Sequence, residues 1–496
     1  MRVATAAASI SWLLVGKQSL LEIAQETCLS NHFYGTYGYD QHLFVIPQSC
    51  YNDLHYHRPL YVESLLGTAP LNNFNASTGD SMLLWIGREA IDDKLLHGAP
   101  GAQEYVEPAK PLFDILHQLW ASSNAPGSDG QEVLSVNTPI LAPGDLKWMG
   151  KASAIIKVHP SSQANVESIM HRHFKYRPVP SSPIPLIPVP SSSIDRVRDI
   201  LQKVKFDPVV ASLVNNISVP QMQRDIRYLT GEDEKSPIIS RHSFSDGILV
   251  AADYIKDIIE MTGASCELKK FIPGFGPNVI CTYNATEKTN EIVLISAHYD
   301  SRGSFGSTRA PGGDDDGSGT TAILAIARTI ARKGVSFKKN VQLCLFAGEE
   351  QGLLGSNAYA RELRRENANL TLMIQADMLA YHVPGEPPQL GLPDLIGTPE
   401  VSQLVSNLSA IYSPELTVGV TSACCSDHQS FHEQGFPATQ VFERAGPIAD
   451  PMYHNSGDVS DRPGYDLEQV KSIAKVQFAT ILHSAGFDVK DEDDEI

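Results

Sequence analysis

The sequence lacks the features of a membrane-spanning or nucleic-acid-binding protein. No segment reaches about 18 uninterrupted apolar residues, so no membrane span is predicted. Lys and Arg number 39 against 57 Asp and Glu, which gives a formal net charge of −18. This shortage of cations disfavours binding to phosphate backbones, and the net charge is typical of a soluble monomer kept dispersed by self-repulsion.

Cysteine is scarce, and the spacing of the 7 cysteines excludes a zinc knuckle. Cys266 and Cys281 flank a Pro-Gly-Phe-Gly-Pro turn, so they are candidates for a disulfide across two strands. Cys344 lies inside an apolar strand pattern and is predicted to be a buried free thiol. For the adjacent Cys424 and Cys425, pairing with each other and pairing elsewhere both stay open.

Two features predict export. The chain opens with a short basic start followed by an apolar run to Gly16, which is the pattern of a signal peptide over residues 1–17. Five acceptor sequons for N-glycosylation begin at Asn75, Asn216, Asn284, Asn369 and Asn407. We therefore expect a secreted glycoprotein, with the vacuolar lumen as the alternative location.

The length of 496 residues suits two or three domains. Six prolines within residues 178–193 favour an extended, semi-rigid linker. We expect an accessory or propeptide-like region over residues 18–177, a catalytic domain over 194–488 and an acidic tail over 489–496. The first of these regions either chaperones folding, covers the active-site cleft or serves as a binding module.

Beyond the linker, apolar residues recur at helical spacing after Ser193, after Ser218 and from Leu249, which predicts three helices. Apolar strand patterns then alternate with helical ones. The predicted strands are 291–297, 341–347, 370–375 and 438–442, and the predicted helices are 321–331, 353–366, 399–411 and 467–482. This alternation predicts an α/β fold, a three-layer sandwich around a central mixed, largely parallel sheet.

Acidic and imidazole groups follow the predicted strands, at the sheet edge where ligands bind in such folds. His298 and Asp300 point the same way in an extended chain, so the carboxylate can orient the imidazole. Asp314, Asp315 and Asp316 open a helix within a glycine-rich turn. Three adjacent carboxylates repel one another unless a cation or helix amides compensate.

Three further patterns belong to the same set. Glu349 and Glu350 follow an apolar strand, and paired carboxylates can divide metal binding from proton transfer. Asp377 ends another apolar strand, where a charge is costly unless it is paired or metal-bound. His454 lies in a loop before the last helix. Singly, each pattern also suits a structural histidine or a solvated acidic turn, whereas together they predict a site for zinc, cobalt or manganese.

As an ordered set, these motifs resemble the cocatalytic dizinc aminopeptidases, which include secreted leucine aminopeptidases and aminopeptidase Y and are related to glutamate carboxypeptidases. The likeness covers about residues 219–487 and rests on His298-Tyr-Asp300-Ser301, Gly313-Asp-Asp-Asp-Gly-Ser-Gly319, Gly348-Glu-Glu-Gln-Gly352, Asp377-Met378, Cys425-Ser-Asp-His428 and Tyr453-His454.

The resemblance implies a role for each matching residue. His298 and Asp377 would hold one zinc ion, Glu350 and His454 a second, and Asp315 would bridge the two. Glu349 would be the general base, with Asp300 as the partner of His298. The activity implied is removal of single residues from peptides with a free N-terminus.

One stretch departs from the family pattern. Secreted bacterial relatives carry a Cys-x-x-x-Cys pair enclosing a tyrosine near the oxyanion, whereas this chain has Thr421-Ser-Ala-Cys-Cys425. Since that tyrosine is missing, we predict that Tyr453, beside His454, donates to the oxyanion; the alternative is a packing role.

Three other functions compete with the aminopeptidase. A glutaminyl cyclase-like transferase uses a single zinc, which the complete ligand set disfavours. A carboxypeptidase of the same fold needs a basic pocket that the sequence does not reveal. A catalytically inactive receptor-like homologue would have lost ligands, and every expected ligand type is present.

Overall fold

The structure is a computed structural model that describes residues 11–17, 24, 27–38, 40–57, 64–71, 81–97, 111–121, 140–304, 307–423 and 425–490. By its internal contacts the chain forms two compact units, residues 1–89 with 109–187 and residues 90–108 with 188–496. The sequence did not predict that 90–108 belong with the second unit. Asn75, Cys424 and residues 491–496 of the acidic tail lie outside the described residues.

The strands are β1 (Ser11–Gly16), β2 (Phe33–Tyr37), β3 (Gln41–Pro47), β4 (Leu65–Leu71), β5 (Met82–Arg88), β6 (Leu146–Met149), β7 (Ser153–Val158), β8 (Phe174–Pro178), β9 (Ser265–Lys269), β10 (Asn278–Tyr283), β11 (Glu291–His298), β12 (Val335–Phe337), β13 (Asn340–Phe346), β14 (Asn369–Ala376), β15 (Gln389–Pro393), β16 (Thr417–Thr421), β17 (Ala438–Val441) and β18 (Phe487–Val489). The helices are α1 (Gln48–His57), α2 (Asp93–His97), α3 (Leu112–Trp120), α4 (Gln163–Ser168), α5 (Ser191–Lys203), α6 (Pro208–Val214), α7 (Val219–Leu229), α8 (Asp246–Glu260), α9 (Gly317–Arg332), α10 (Leu354–Arg365), α11 (Pro399–Tyr412), α12 (His428–Glu433) and α13 (Leu467–Ala485).

The first unit contains two antiparallel sheets, in the orders β2-β3-β1-β4 and β6-β7-β5-β8. Residues 1–10 of the predicted signal peptide lie outside the described residues, and the end of its apolar run, Ser11–Gly16, forms β1, an inner strand in which Leu13, Leu14 and Val15 are fully buried. Removal of residues 1–17 on export would take this strand out of its sheet. The signal peptide therefore stays a prediction, and this packing argues against it.

The second unit is built on a sheet of order β17-β14-β11-β13-β10-β9. Strands β17, β14, β11 and β13 are parallel, and β10 and β9 add antiparallel edges. The predicted mixed, largely parallel sheet is confirmed. Cys266 and Cys281 lie opposite each other on β9 and β10 and form a disulfide, as the turn between them suggested.

Helices cover both faces of this sheet. Because side chains alternate along a strand, Val293 and Ile295 of β11 enter one apolar core and Leu294 enters the other. Helices α8, α9, α11 and α13 supply the larger core, while α10 and α12 supply the smaller one. The predicted three-layer sandwich is thus confirmed, and Cys344 is a buried free thiol, as predicted.

Some local predictions differ from the structure. Helix α5 begins at Ser191 rather than after Ser193, because the extended Pro190 directly precedes it. The parallel pair β15–β16 was not predicted, nor was the disulfide between Cys28 and Cys50 in the first unit. Within the described residues, no helix combines the length and apolarity needed to cross a bilayer.

Candidate metal centre

The parallel strands bring the predicted ligands to one edge of the sheet. His298 is the last residue of β11, Glu349 and Glu350 follow β13, and Asp377 follows β14. Since β11 lies between β13 and β14 in the sheet, the carboxyl ends of all three strands meet. The predicted position of these side chains at one sheet edge is confirmed.

Two groups of potential metal ligands share one carboxylate, that of Asp315. In the first group, Nε2 of His298 lies 3.1 Å from Oδ1 of Asp315 and 3.7 Å from Oδ1 of Asp377. In the second, Nε2 of His454 lies 3.2 Å from Oδ2 of Asp315 and 3.0 Å from Oε2 of Glu350. Asp315 therefore offers one oxygen to each group, and every member of both groups is buried.

The three consecutive aspartates have separate tasks. Asp316 caps α9 by accepting from the amide of Gly319 at 2.9 Å, and it also accepts from the amide of His298 at 3.1 Å. Asp314 accepts from the amide of Ala380 at 2.8 Å. Only the middle carboxylate, Asp315, faces both histidines. Sequence spacing left the choice among the three open, and the hydrogen bonds of the outer two resolve it.

Asp300 joins two of the strand ends. Its backbone carbonyl lies 3.2 Å and its Oδ1 3.5 Å from Nδ1 of His298. Its Oδ2 accepts from the hydroxyl of Ser243 at 2.9 Å and from the amide of Glu350 at 3.3 Å, while Oδ1 accepts from the amide of Glu349 at 3.4 Å. Asp300 thus contacts the imidazole through both its backbone carbonyl and its carboxylate, and the carboxylate also holds the backbone of the glutamate pair.

Glu349 stands beside the ligands without belonging to either group. Its Oε2 lies 4.0 Å from Nε2 of His298, and the residue is 2% exposed. The two consecutive glutamates therefore differ in position, because only Glu350 is a member of a ligand group.

The buried carboxylates of the centre favour positive charge on the groups beside them. Burial lowers the pKa of His298, but the carboxylates of Glu349, Asp300, Asp315 and Asp377 outweigh it and raise that pKa well above its usual value. Burial raises the pKa of Asp315, but the two histidines outweigh it and hold the pKa far below the usual range.

The donor set fits a divalent cation. Both carboxylate oxygens of Glu350 and Nε2 of His298 are buried and form no hydrogen bond of proper geometry among the described residues, and the polar atoms near them belong to other members of the ligand groups. Such groups are costly to bury unless something compensates them. Imidazole nitrogen and carboxylate oxygen are ligands of zinc and similar ions, so a bound cation would remove this cost.

The ring of Tyr453 packs against neighbouring side chains beside the metal ligands. Its ring stacks on that of His454, with the centroids 3.8 Å apart and the planes at 24°. It is 2% exposed and belongs to an apolar cluster with Met378 and Phe442. The packing role is therefore present, and its role as oxyanion donor stays a prediction.

Sequence reasoning missed the residues that support the loops of the site. Both carboxylate oxygens of Asp458 accept from the amide of Asp314, and Oδ2 also accepts from the amide of Asp315 at 3.1 Å. The fully buried Arg241 donates to the carbonyls of Leu229, Tyr299, Pro311 and Gly312. A single arginine on a loop leaves no periodic signal, whereas Asp458 was visible in the loop after His454.

Comparison with known proteins agrees with this architecture. Residues 278–481 match the model of peptidase family M28. A probable leucine aminopeptidase of Arthroderma otae is 31% identical over 267 residues, covering 51% of this chain and 69% of that protein. Leucine aminopeptidase 1 of Phaeosphaeria nodorum is 26% identical over 276 residues, covering 53% of this chain and 70% of that protein.

A solved structure shares the fold. The LapA aminopeptidase of Legionella pneumophila superposes with a TM-score of 0.56 at 18% identity, over 82% of this chain and 98% of that chain. From the family match and the fungal relatives, the chain belongs to peptidase family M28 and is a peptide hydrolase.

Proposed function

We propose that this chain is a zinc-dependent aminopeptidase that hydrolyses the first peptide bond of peptides with a free N-terminus. The observation that carries the proposal is the pair of buried ligand groups joined by Asp315. The names of the fungal relatives, leucine aminopeptidases, support the choice of an exopeptidase.

The ligand groups suggest how the metal would be held. His298 and Asp377 would hold one zinc ion, Glu350 and His454 a second, and Asp315 would contact both. When bound, paired zinc ions act as Lewis acids and make water acidic enough to ionise near neutral pH. Asp300 keeps the imidazole of His298 oriented, as carboxylates commonly do for metal-binding histidines.

Glu349 is proposed as the general base. It is buried, lies 4.0 Å from a ligand nitrogen and belongs to neither ligand group, which is the position that a proton acceptor beside the metal ligands requires. It would accept a proton from the attacking water and donate that proton to the departing amine nitrogen.

The remaining expectations are proposals of the same kind. The sequons at Asn216, Asn284, Asn369 and Asn407 are all at least partly exposed, which is compatible with glycosylation in a secreted or vacuolar protein. We propose that residues 18–177 are an accessory or propeptide-like region, that 178–193 link it to a catalytic domain over 194–488, and that the protein acts as a monomer.

The proposal is tested on the full chain with leucine p-nitroanilide, with an N-acetylated control substrate and with a peptide that begins with glutamine. We expect hydrolysis of the free aminoacyl substrate, loss of activity with a chelator and recovery with zinc. Cyclisation of the glutaminyl peptide without hydrolysis would instead identify a glutaminyl cyclase-like transferase. Cleavage of the acetylated substrate at an equal rate would refute the exopeptidase.

A further inference from the structure

We infer that residues 90–97 act as an internal inhibitor, with Ile91 and Leu95 filling the apolar pocket beside the metal centre. The inference rests on the proposed aminopeptidase function, because it assumes that this pocket receives the first side chain of the substrate. The segment lies far from the ligands in sequence but belongs to the same compact unit.

The segment is attached to the loop that precedes His454. Ile91 forms a parallel β-bridge with Ile448. The amide of Asp92 donates to the carbonyl of Ile448, and the amide of Ile448 donates to the carbonyl of Ala90, both at 2.8 Å. Directly after this bridge the chain turns into the short helix α2, which contains Leu95.

The apolar cluster that contains Ile91 and Leu95 adjoins a ligand of each group. Met378 follows the ligand Asp377, and Tyr453 precedes the ligand His454. The apolar cluster comprises Ile91, Leu95, Met378, Ala423, Phe442, Ile448 and Tyr453, and no member is more than 7% exposed. The apolar surface next to the metal ligands is therefore already covered by two aliphatic side chains of the chain itself.

An ion pair holds the segment in place. Nη1 of Arg444 donates to Oδ2 of Asp92 at 3.1 Å, and the guanidinium also forms a two-pronged contact with Glu386, with both distances at 3.0 Å. Arg444 is thus fixed by Glu386 whether or not Asp92 is present. Asp92 is the removable half of this contact.

The attachment is small enough to open without global unfolding. The segment is held by two backbone hydrogen bonds, one ion pair, the two buried side chains Ile91 and Leu95, and the partly buried Leu96, which packs against the same cluster. Local contacts of this size open at much lower cost than the core. Substrate would then compete with the segment, so that only the open fraction binds and the apparent KM is raised while kcat is unaffected.

The test uses Asp92→Asn in the full chain. The amide of Lys94 donates to Oδ1 of Asp92 at 3.0 Å. Asparagine keeps an oxygen that can accept this hydrogen bond, but it loses the charge that pairs with Arg444. Leu95→Ala is the second variant, and Asp93→Asn is the matched control because Asp93 is exposed. We expect both test variants to lower KM for leucine p-nitroanilide about tenfold at constant kcat, since a segment closed about 90% of the time reduces apparent affinity by that factor.

A binding measurement separates this inference from the proposed function. Calorimetric titration with free leucine should show about tenfold tighter binding to Asp92→Asn than to wild type and Asp93→Asn. If the three proteins bind leucine with equal affinity, or if none of them binds it, the inference that residues 90–97 are an inhibitor is wrong. If Leu95→Ala raises KM instead, the segment is a wall of the pocket and the inference is wrong. If Asp92→Asn binds leucine more tightly than wild type but no variant hydrolyses the substrate, only the proposed peptidase activity is rejected.

Discussion

The carboxylate of Asp300 faces the imidazole of His298 from the side opposite the metal ligands, with Oδ1 3.5 Å from Nδ1. This contact leaves Nε2 directed at Asp315 and Asp377. The same carboxylate accepts from the amides of Glu349 and Glu350, so one side chain contacts both the ligand ring and the loop of the proposed base, while the backbone carbonyl of Asp300 also lies 3.2 Å from Nδ1.

Asp300→Asn should therefore weaken zinc binding by about tenfold to a hundredfold, because the ring loses the negative charge beside Nδ1 and keeps only the contact with the backbone carbonyl. Competition with a fluorescent zinc chelator at neutral pH measures this. Ser301→Ala, which removes a buried hydroxyl that donates to the carbonyl of Ala310, is the control and should bind zinc normally. Wild-type affinity in Asp300→Asn would show that the contact is incidental.

Glu349→Gln and Glu350→Gln should behave differently although the residues are adjacent. Glu349→Gln should retain its zinc and lose at least about a hundredfold in kcat, because it removes only the proton acceptor. Glu350→Gln should lose metal, since Glu350 is a member of a ligand group. Zinc analysis of both proteins beside their kinetics decides the matter, and equal zinc loss in the two would contradict the division of roles.

Tyr453→Phe tests the predicted oxyanion donor. Removal of the hydroxyl should lower kcat by at least about tenfold, with the zinc content unchanged, if it stabilises developing charge. The ring stack on His454 should survive in phenylalanine, so a folding defect is not expected. Turnover at the wild-type rate would leave Tyr453 with its packing role alone.

The pH dependence of stability should depend on His428. This residue is fully buried, its Nε2 lies 3.2 Å from the carbonyl of Ile396, and burial lowers its pKa to about 3. The unfolded chain binds the proton first as the pH falls below about 6.5, so stability present above that pH is lost between it and about pH 3.

His428→Gln should remove this loss. Between about pH 7 and pH 5 the histidine costs about 2 kcal/mol of unfolding free energy, and glutamine does not titrate. Asp427 works in the opposite direction, because burial raises its pKa to about 7 and its stability contribution falls as pH rises towards that value. Urea unfolding of wild type and variant at both pH values isolates His428, and parallel losses would refute its role.

Much of the catalytic unit could be predicted because its signals are local. Strand β11 ends at His298, β14 ends directly before Asp377, and β13 ends a few residues before Glu350, so the order of apolar strands and polar residues places these three at one edge. His454 was singled out as a histidine in the loop before the last helix, but its assignment to the same zinc ion as Glu350 came only from the resemblance, since its loop has no periodic pattern. The choice of Asp315 within its triplet likewise depended on the family pattern.

Other features depend on contacts between residues distant in sequence. Arg241 donates hydrogen bonds to four carbonyls of residues between Leu229 and Gly312, and the sequence around Arg241 contains no pattern that predicts these contacts. The bridge from Ile91 to Ile448 connects residues far apart in the chain, so composition around 90–97 gives no hint of it. The run at Ser11–Gly16 shows the opposite problem, because an apolar strand and the core of a signal peptide have the same composition.

The zinc content of the purified full chain tests the central claim most directly. After dialysis against a low-zinc buffer, elemental analysis should give about two zinc ions per chain, and Asp377→Asn should lower the value to about one, because only one ligand group contains Asp377. A wild-type protein that retains no metal, or that saturates with a single ion unaffected by Asp377→Asn, would contradict the two-metal centre.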